Sequence, residues 1–428
     1  MNSLQQYPQF RITIADVIVC LWDNFKELLS NRICQPGFMF SRKSNVLPLL
    51  VVAVFISIGG SAFAQSPATI AEQLTTPERI ERSKWWPTDG RAGKNDYLGS
   101  RGCEQCHYAI VKSQSRHSMA RASVPAESSD ALHDQAGQSF RLGEYEYKII
   151  REANGTFHYT ASNAGKTVSS PVNWAFGAGK VGQSYLSEQD GTFREIRFSY
   201  FSTLHAFDVT PNQSLQPATS VDKAAGRVLP GAEAQRCFGC HTTASTVSKH
   251  FEPANAMPGI SCESCHGAGS KHVAAMKAGE LDAGLAAIVN PRDLKPVDIV
   301  DFCGACHTTW WDAKRIAASG VANVRFQPYR LESSRCWGNG DARLTCISCH
   351  NPHQPLVREA RAYDSKCLSC HASSRQSKPT IEQPGAACPV GKEDCVTCHM
   401  QKYEVPDMHY KYTDHRIRIV KAGEPFPD

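Results

Sequence analysis

One short pattern, cysteine, two residues, cysteine, histidine, occurs seven times in this chain and constrains it more than any other feature. The copies are Cys103, Cys106 and His107; Cys237, Cys240 and His241; Cys262, Cys265 and His266; Cys303, Cys306 and His307; Cys346, Cys349 and His350; Cys367, Cys370 and His371; and Cys395, Cys398 and His399. With 18 cysteines and 16 histidines in 428 residues, chance would supply about 0.03 copies. The spacing has a chemical reason. Two thiols three positions apart lie on one side of a helical turn. They can add to the two vinyl groups of one haem, and the next residue carries an imidazole under the ring to the iron.

Three other readings of the cysteines fit less well. Structural zinc wants paired C-x-x-C units converging on one ion and does not demand a histidine after every pair. A thioredoxin-like redox motif occurs once, at a helix N-terminus in a βαβ unit. A disulfide framework gives no role to the histidines. Seven covalently bound c-type haems are therefore expected.

The N-terminal region fits export. Arg42 and Lys43 precede an apolar run at 46–58, and Ala62-Phe63-Ala64 gives a small-residue cleavage pattern. The run is short for a transmembrane span. We read 1–38 as an over-extended N-terminus, with Met39 as the true start, and 39–64 as a signal peptide. Cleavage after Ala64 removes Cys20 and Cys34. Of the 16 cysteines left, Cys336 and Cys388 lie outside the motifs, and an exported protein would join them as a disulfide.

Beyond the leader, the expected organisation is a segment with the first motif at 65–137, a β-rich insert and linker at 138–236, a six-haem domain at 237–418 and a tail at 419–428. The first two motifs are 134 residues apart (103 to 237), and the other five gaps are far shorter. The long gap alternates apolar and polar residues around Tyr145, Tyr147 and Ile149, and around Phe193, Ile196, Phe198 and Tyr200. Asn154-Gly155 and Asp190-Gly191 are hairpin turn signals between such runs. The fold expected is mainly α with extensive loops: a multihaem cytochrome c array with a small antiparallel β-rich insert that covers the first motif. In the array the porphyrins replace packed side chains as the apolar core.

The second axial ligand decides what each iron can do. An iron with two protein ligands passes electrons, and one with an open position can bind a small molecule. Nine histidines lie outside the motifs, enough for full bis-histidine ligation. The candidates are His117, on what reads as a helix continuing from motif one, together with His272, His353, His409, His415 and His250. A histidine close behind its own motif cannot easily reach its own iron, so each of these would cap a neighbour's. His133 and His205 rank lower, and His158, between Phe157 and Tyr159, reads as a strand residue.

Three motif contexts, Cys262-Glu263-Ser264-Cys265-His266-Gly267-Ala268-Gly269-Ser270-Lys271-His272, Cys346-Ile347-Ser348-Cys349-His350-Asn351-Pro352-His353, and Cys395-Val396-Thr397-Cys398-His399-Met400 with Thr413-Asp414-His415, carry a resemblance. Over 96–418 the chain resembles exported multihaem cytochromes c related to the tetrahaem cytochrome of ammonia oxidisers, in a superfamily with the nitrite reductases and hydroxylamine oxidoreductases. The resemblance implies that a trailing histidine caps a neighbouring haem, which favours His272, His353 and His415. Two departures weaken an enzymatic reading. No C-x-x-C-K motif marks a catalytic haem, and no tyrosine is singled out by spacing, Tyr200 and Tyr412 matching by residue type alone.

The function expected is electron transfer through mostly bis-histidine haems between redox proteins in respiration. The alternative is an oxidoreductase acting on a small nitrogen or sulfur compound at one open iron. The partners expected are redox proteins as donor and acceptor. A net charge of +5 is too mild to argue for nucleic acid. Membrane contact would come only through partners, and the sequence leaves the oligomeric state open.

Overall fold

Alternating aromatic residues build the region that follows the first motif. In the computed structural model, residues 90–337, 343–371, 388–421 and 423–427 are described. The leader expected at 39–64 and the segment before it lie outside them. A four-stranded antiparallel meander runs β2 (Ser139–Leu142), β3 (Tyr145–Arg151), β4 (Phe157–Asn163) and β5 (Lys166–Val172). A second sheet has the order β1 (Ser123–Pro125), β6 (Trp174–Phe176), β7 (Gly182–Gln189), β8 (Thr192–Glu195) and β11 (Arg227–Val228). Strand β9 (Phe198–Phe201) pairs with β7, and β10 (Ala206–Val209) pairs with β9.

The period-two pattern explains which faces close on each other. On β3 the buried residues are Tyr145, Tyr147 and Ile149, and on β4 they are Phe157, Tyr159 and Ala161. These meet Tyr185, Phe198 and Phe207 in one core. Each such side chain contributes about 1.5–3 kcal/mol when fully buried. His158 sits opposite Ile150 and Pro171 on the other face of β4, as a strand residue should. Asp190 and Gly191 join β7 to β8 in a two-residue turn, with φ of 50° and 73°. Both values positive is the geometry that matches strand twist, and it favours Asp-Gly.

The mainly α character expected is seen only in part: helices share the described residues with antiparallel sheets, whose strands concentrate between Ser123 and Val228. The helices stay short because those carrying motifs mostly end at or beside the motif histidine. The sheets, expected to cover the first motif, pack on the second. Phe176, Leu186 and Phe193 pack with Phe238, the residue between Cys237 and Cys240. The Phe176 ring stacks on His241 at 5.0 Å and 4°. Only contacts distant in sequence decide this, so local pattern could not show it.

The motifs sit on helices. Motif one opens α1 (Ser100–Gln114), whose helical geometry breaks at His107. Motif two ends α2 (Gly231–His241), motif three is α3 (Cys262–His266), and α4 (Ser270–Ala278) and α5 (Leu281–Ala286) follow it. Motif four ends α6 (Pro296–His307), against which α7 (Gln327–Glu332) packs. Motifs five, six and seven lie on α8 (Cys346–Cys349), α9 (Asp364–His371) and α10 (Cys395–His399). Among the described residues no helix is long and apolar enough to cross a membrane.

Candidate haem sites

In each motif the helix places both thiols on one side, and the chain turns at or just after the histidine. What the imidazole then does depends on its second nitrogen. His241 Nδ1 lies 2.9 Å from the Ala122 carbonyl oxygen, His266 Nδ1 2.8 Å from that of Val289, and His399 Nδ1 2.9 Å from that of Arg418. A carbonyl can only accept, so Nδ1 carries the proton and Nε2 keeps a lone pair for a metal. The same arrangement holds for two histidines outside the motifs. His272 Nδ1 is 2.8 Å from the Gly284 oxygen, and His415 Nδ1 is 3.1 Å from the Thr413 oxygen.

Two pairs of imidazoles face each other across motifs. The His266 and His353 rings have centroids 5.9 Å apart and planes 11° apart. Those of His350 and His415 are 6.2 Å and 45° apart. Two imidazoles on opposite sides of one iron, each with a metal–nitrogen bond of about 2 Å, have centroids roughly 6 Å apart. The donor chemistry and the spacing therefore fit haem iron. Burial favours the neutral ring at several of the histidines. His241, His307, His350 and His353 are all pushed below the usual imidazole range, with burial the main cause. His415 is lowered to about 4, by burial first and then by His350.

The other expected ligands are placed differently. His117 lies beyond the end of α1, not within it, and its Nδ1 accepts the Met119 backbone N–H at 3.0 Å. That leaves the proton on Nε2 of the neutral ring. His409 Nε2 is 2.8 Å from an Asp208 carboxylate oxygen, and its ring packs edge-on to Phe201. His133 Nε2 is 2.8 Å from the Glu127 carbonyl oxygen. His250 is exposed in a short hairpin opposite Val247. His107 is exposed on α1, and His371 ends α9.

The motifs are brought together out of sequence order, and buried carboxylates do much of the joining. Glu263, on α3, is 1% exposed. It accepts the backbone N–H groups of Leu98 at 2.9 Å, Gly99 at 2.8 Å and Gly269 at 2.9 Å, which ties motif three to the start of α1. There the Cys103 and Cys262 thiols hydrogen-bond to each other, raising the pKa of Cys103 and lowering that of Cys262 to about 6. The Cys240 thiol lies close to that of Cys306 and 3.7 Å from the Ala305 oxygen, bringing motifs two and four together. The Cys303 thiol lies close to that of Cys346, which packs with Val300, Leu331 and Trp337, bringing motifs four and five together. Asp364 accepts the N–H of Asp394 at 2.7 Å and of Cys395 at 2.9 Å, joining motifs six and seven. Those two bonds, Cys395's the larger, hold its carboxyl below the usual range. Once the sulfurs are thioethers no proton remains to titrate, and what persists is proximity.

Cys336 and Cys388 are both exposed, and the disulfide expected between them does not join them in this structure. Cys336 lies near Cys349. The Cys388 thiol is instead served by the backbone N–H groups of Gly391 and Val390, which lower its pKa. Sequence reasoning missed Glu263, Arg330, Asp364 and Asp414. Glu263 lies inside a motif, Asp364 just before one and Asp414 beside His415, whereas Arg330 carried no signal of its own.

The family described as cytochrome c554 and c-prime matches this chain over residues 199–267, which include motifs two and three. No curated protein matches. Among solved structures, the crystal structure of the outer cell wall cytochrome OcwA aligns with a TM-score of 0.45 and 13% identity, covering 76% of this chain and 80% of that one. The family match and the repeated motif support a multihaem c-type cytochrome with covalently attached haem.

Proposed function

We propose that the chain is an exported heptahaem cytochrome c that relays electrons through mostly bis-histidine haems between two redox proteins. The observation that carries this reading is the pair of facing imidazole couples, His266 with His353 and His350 with His415. In this reading His266 and His353 would together hold one haem iron, and His350 and His415 another. His272 caps a third, its Nε2 left basic by the Gly284 carbonyl. His117, His409 and His250 are weaker candidates, and the Asp208 contact gives His409 a structural role. The haems supply one-electron acceptors, ferric to ferrous. The protein's task is to hold them close, exclude water and keep both axial positions filled.

The sulfur contacts support an order of motifs in space. Motif one adjoins three, two adjoins four, four adjoins five, and six adjoins seven. Cys265 lies near both Cys303 and Cys306, linking three to four, and Cys349 lies near Cys367, linking five to six. Motif four thus meets three others, and the relay branches there. Export, the donor and the acceptor belong to the same proposal and rest on the leader at 39–64 and the haem motifs.

Adding nitrite, hydroxylamine or cyanide to the oxidised protein distinguishes this reading from an oxidoreductase. With both axial positions filled, the haem absorption bands stay unchanged at millimolar ligand. A shift in a substantial share of the haem would speak for an open catalytic iron.

A further inference from the structure

Arg330 and Asp414 form a buried ion pair beside one candidate iron. Arg330 is 0% exposed and Asp414 1%. The guanidinium donates through Nε to Asp414 Oδ1 and through Nη2 to Oδ2, both at 2.8 Å. The Phe426 ring covers it, 4.4 Å from the guanidinium carbon. Asp414 precedes His415 in the chain. The loop that carries both is held to the segment around α7 twice, because Ser334 Oγ donates to the His415 carbonyl at 3.1 Å and accepts the Ile417 N–H at 2.8 Å. Asp414 Oδ1 also accepts the Arg416 N–H at 3.0 Å. One guanidinium nitrogen, Nη1, is buried with no hydrogen-bond partner. A buried cationic N–H without an acceptor is costly, and it fits a carboxylate of the haem itself.

We propose that the Arg330–Asp414 pair sets the reduction potential of the haem whose iron lies between His350 and His415, Arg330 also serving that haem's carboxylate through Nη1. This rests on the bis-histidine reading of that iron. The physics is charge balance in a poorly screened interior. Taking up one electron turns ferric iron into ferrous and adds one negative charge. A nearby buried cation favours that change and a nearby anion opposes it, more strongly than either would in water. The pair as it stands nearly cancels. Removing one member leaves the other's charge beside the iron. Arg330 and Asp414 are thus positioning residues for electron uptake at one haem.

The test is a potentiometric titration of the haem-loaded protein followed by electron paramagnetic resonance. Asp414→Asn, which keeps the side-chain shape, raises the midpoint of one haem component and leaves the others in place. Arg330→Gln lowers the same component, and the double variant returns it toward the native value. Arg330→Lys keeps the charge and holds the component near its native midpoint, which provides a reading should Arg330→Gln not accumulate. A purely structural role would not give shifts of opposite sign. Unmoved midpoints in Asp414→Asn, or shifts of the same sign in Asp414→Asn and Arg330→Gln, would overturn the proposal. His415→Ala separates the two levels of the argument. If it removes one low-spin signal while the charge variants move nothing, only the tuning role fails. If it changes no signal, the shared-iron reading fails and the tuning role with it.

Discussion

Replacing His353 with alanine is expected to convert one haem from low-spin to high-spin while every haem stays attached. The His266 ring is the other half of that couple, 5.9 Å away and nearly parallel. It belongs to a motif, so its own iron and thioether bonds survive. An imidazole nitrogen is lost, and alanine offers no ligand in its place. The effect is all-or-none for that iron: one low-spin resonance disappears, a high-spin one of equal weight appears, and cyanide then binds at one haem per molecule. Total haem by alkaline pyridine assay stays constant. Were the low-spin count unchanged, His353 would not be an axial ligand.

Replacing Glu263 with alanine is expected to destabilise the protein by about 3–5 kcal/mol, because three backbone N–H groups lose their acceptor and each such loss costs about 1–3 kcal/mol. The donors at Leu98, Gly99 and Gly269 are bonded at 2.8 to 2.9 Å, and the carboxylate is shut away from water. Glu263→Gln should cost less, since one oxygen remains, but its amide would point a donor at one of the same N–H groups. Denaturant unfolding of the haem-loaded protein, read by haem absorbance, gives the midpoints. A loss below about 1 kcal/mol for Glu263→Ala, the range of an ordinary surface change, would show that motifs one and three are held together by something else.

What the sequence made legible is what depends on near neighbours along the chain. The thiol and imidazole spacing is local chemistry, and all seven motifs sit on helical turns. The alternation of Tyr145, Tyr147 and Ile149 is local too, and it placed β3 and its buried face. Asp190-Gly191 needed only its own backbone to make a turn. By contrast, Ala164-Gly165 forms a similar two-residue turn between β4 and β5, with φ of 48° and 79°. Alanine is a poor signal for that geometry, so nothing announced it. The sheet's seat on motif two depends on Phe176 meeting His241, 65 positions later (176 to 241). Asp208 claims His409 across 201 positions, and Arg330 meets Asp414 across 84. No period or spacing carries such pairings. Cys336 and Cys388 show the same limit. Export and cysteine count argued for a bridge, and the fold gave each thiol other neighbours.

That His353 and His415 trail a motif was legible in the sequence, and the structure sets their rings against His266 and His350. Which ring each faces was not, since that depends on where the histidines after α3 and α8 meet loops elsewhere in the chain.

A redox titration of the full-length haem-loaded protein, followed by electron paramagnetic resonance with the spins counted against total iron, tests the account most directly. Seven irons per chain, nearly all low-spin when oxidised and reducible one electron at a time, is the predicted result. Fewer than seven irons, or a mostly high-spin oxidised protein, would contradict it.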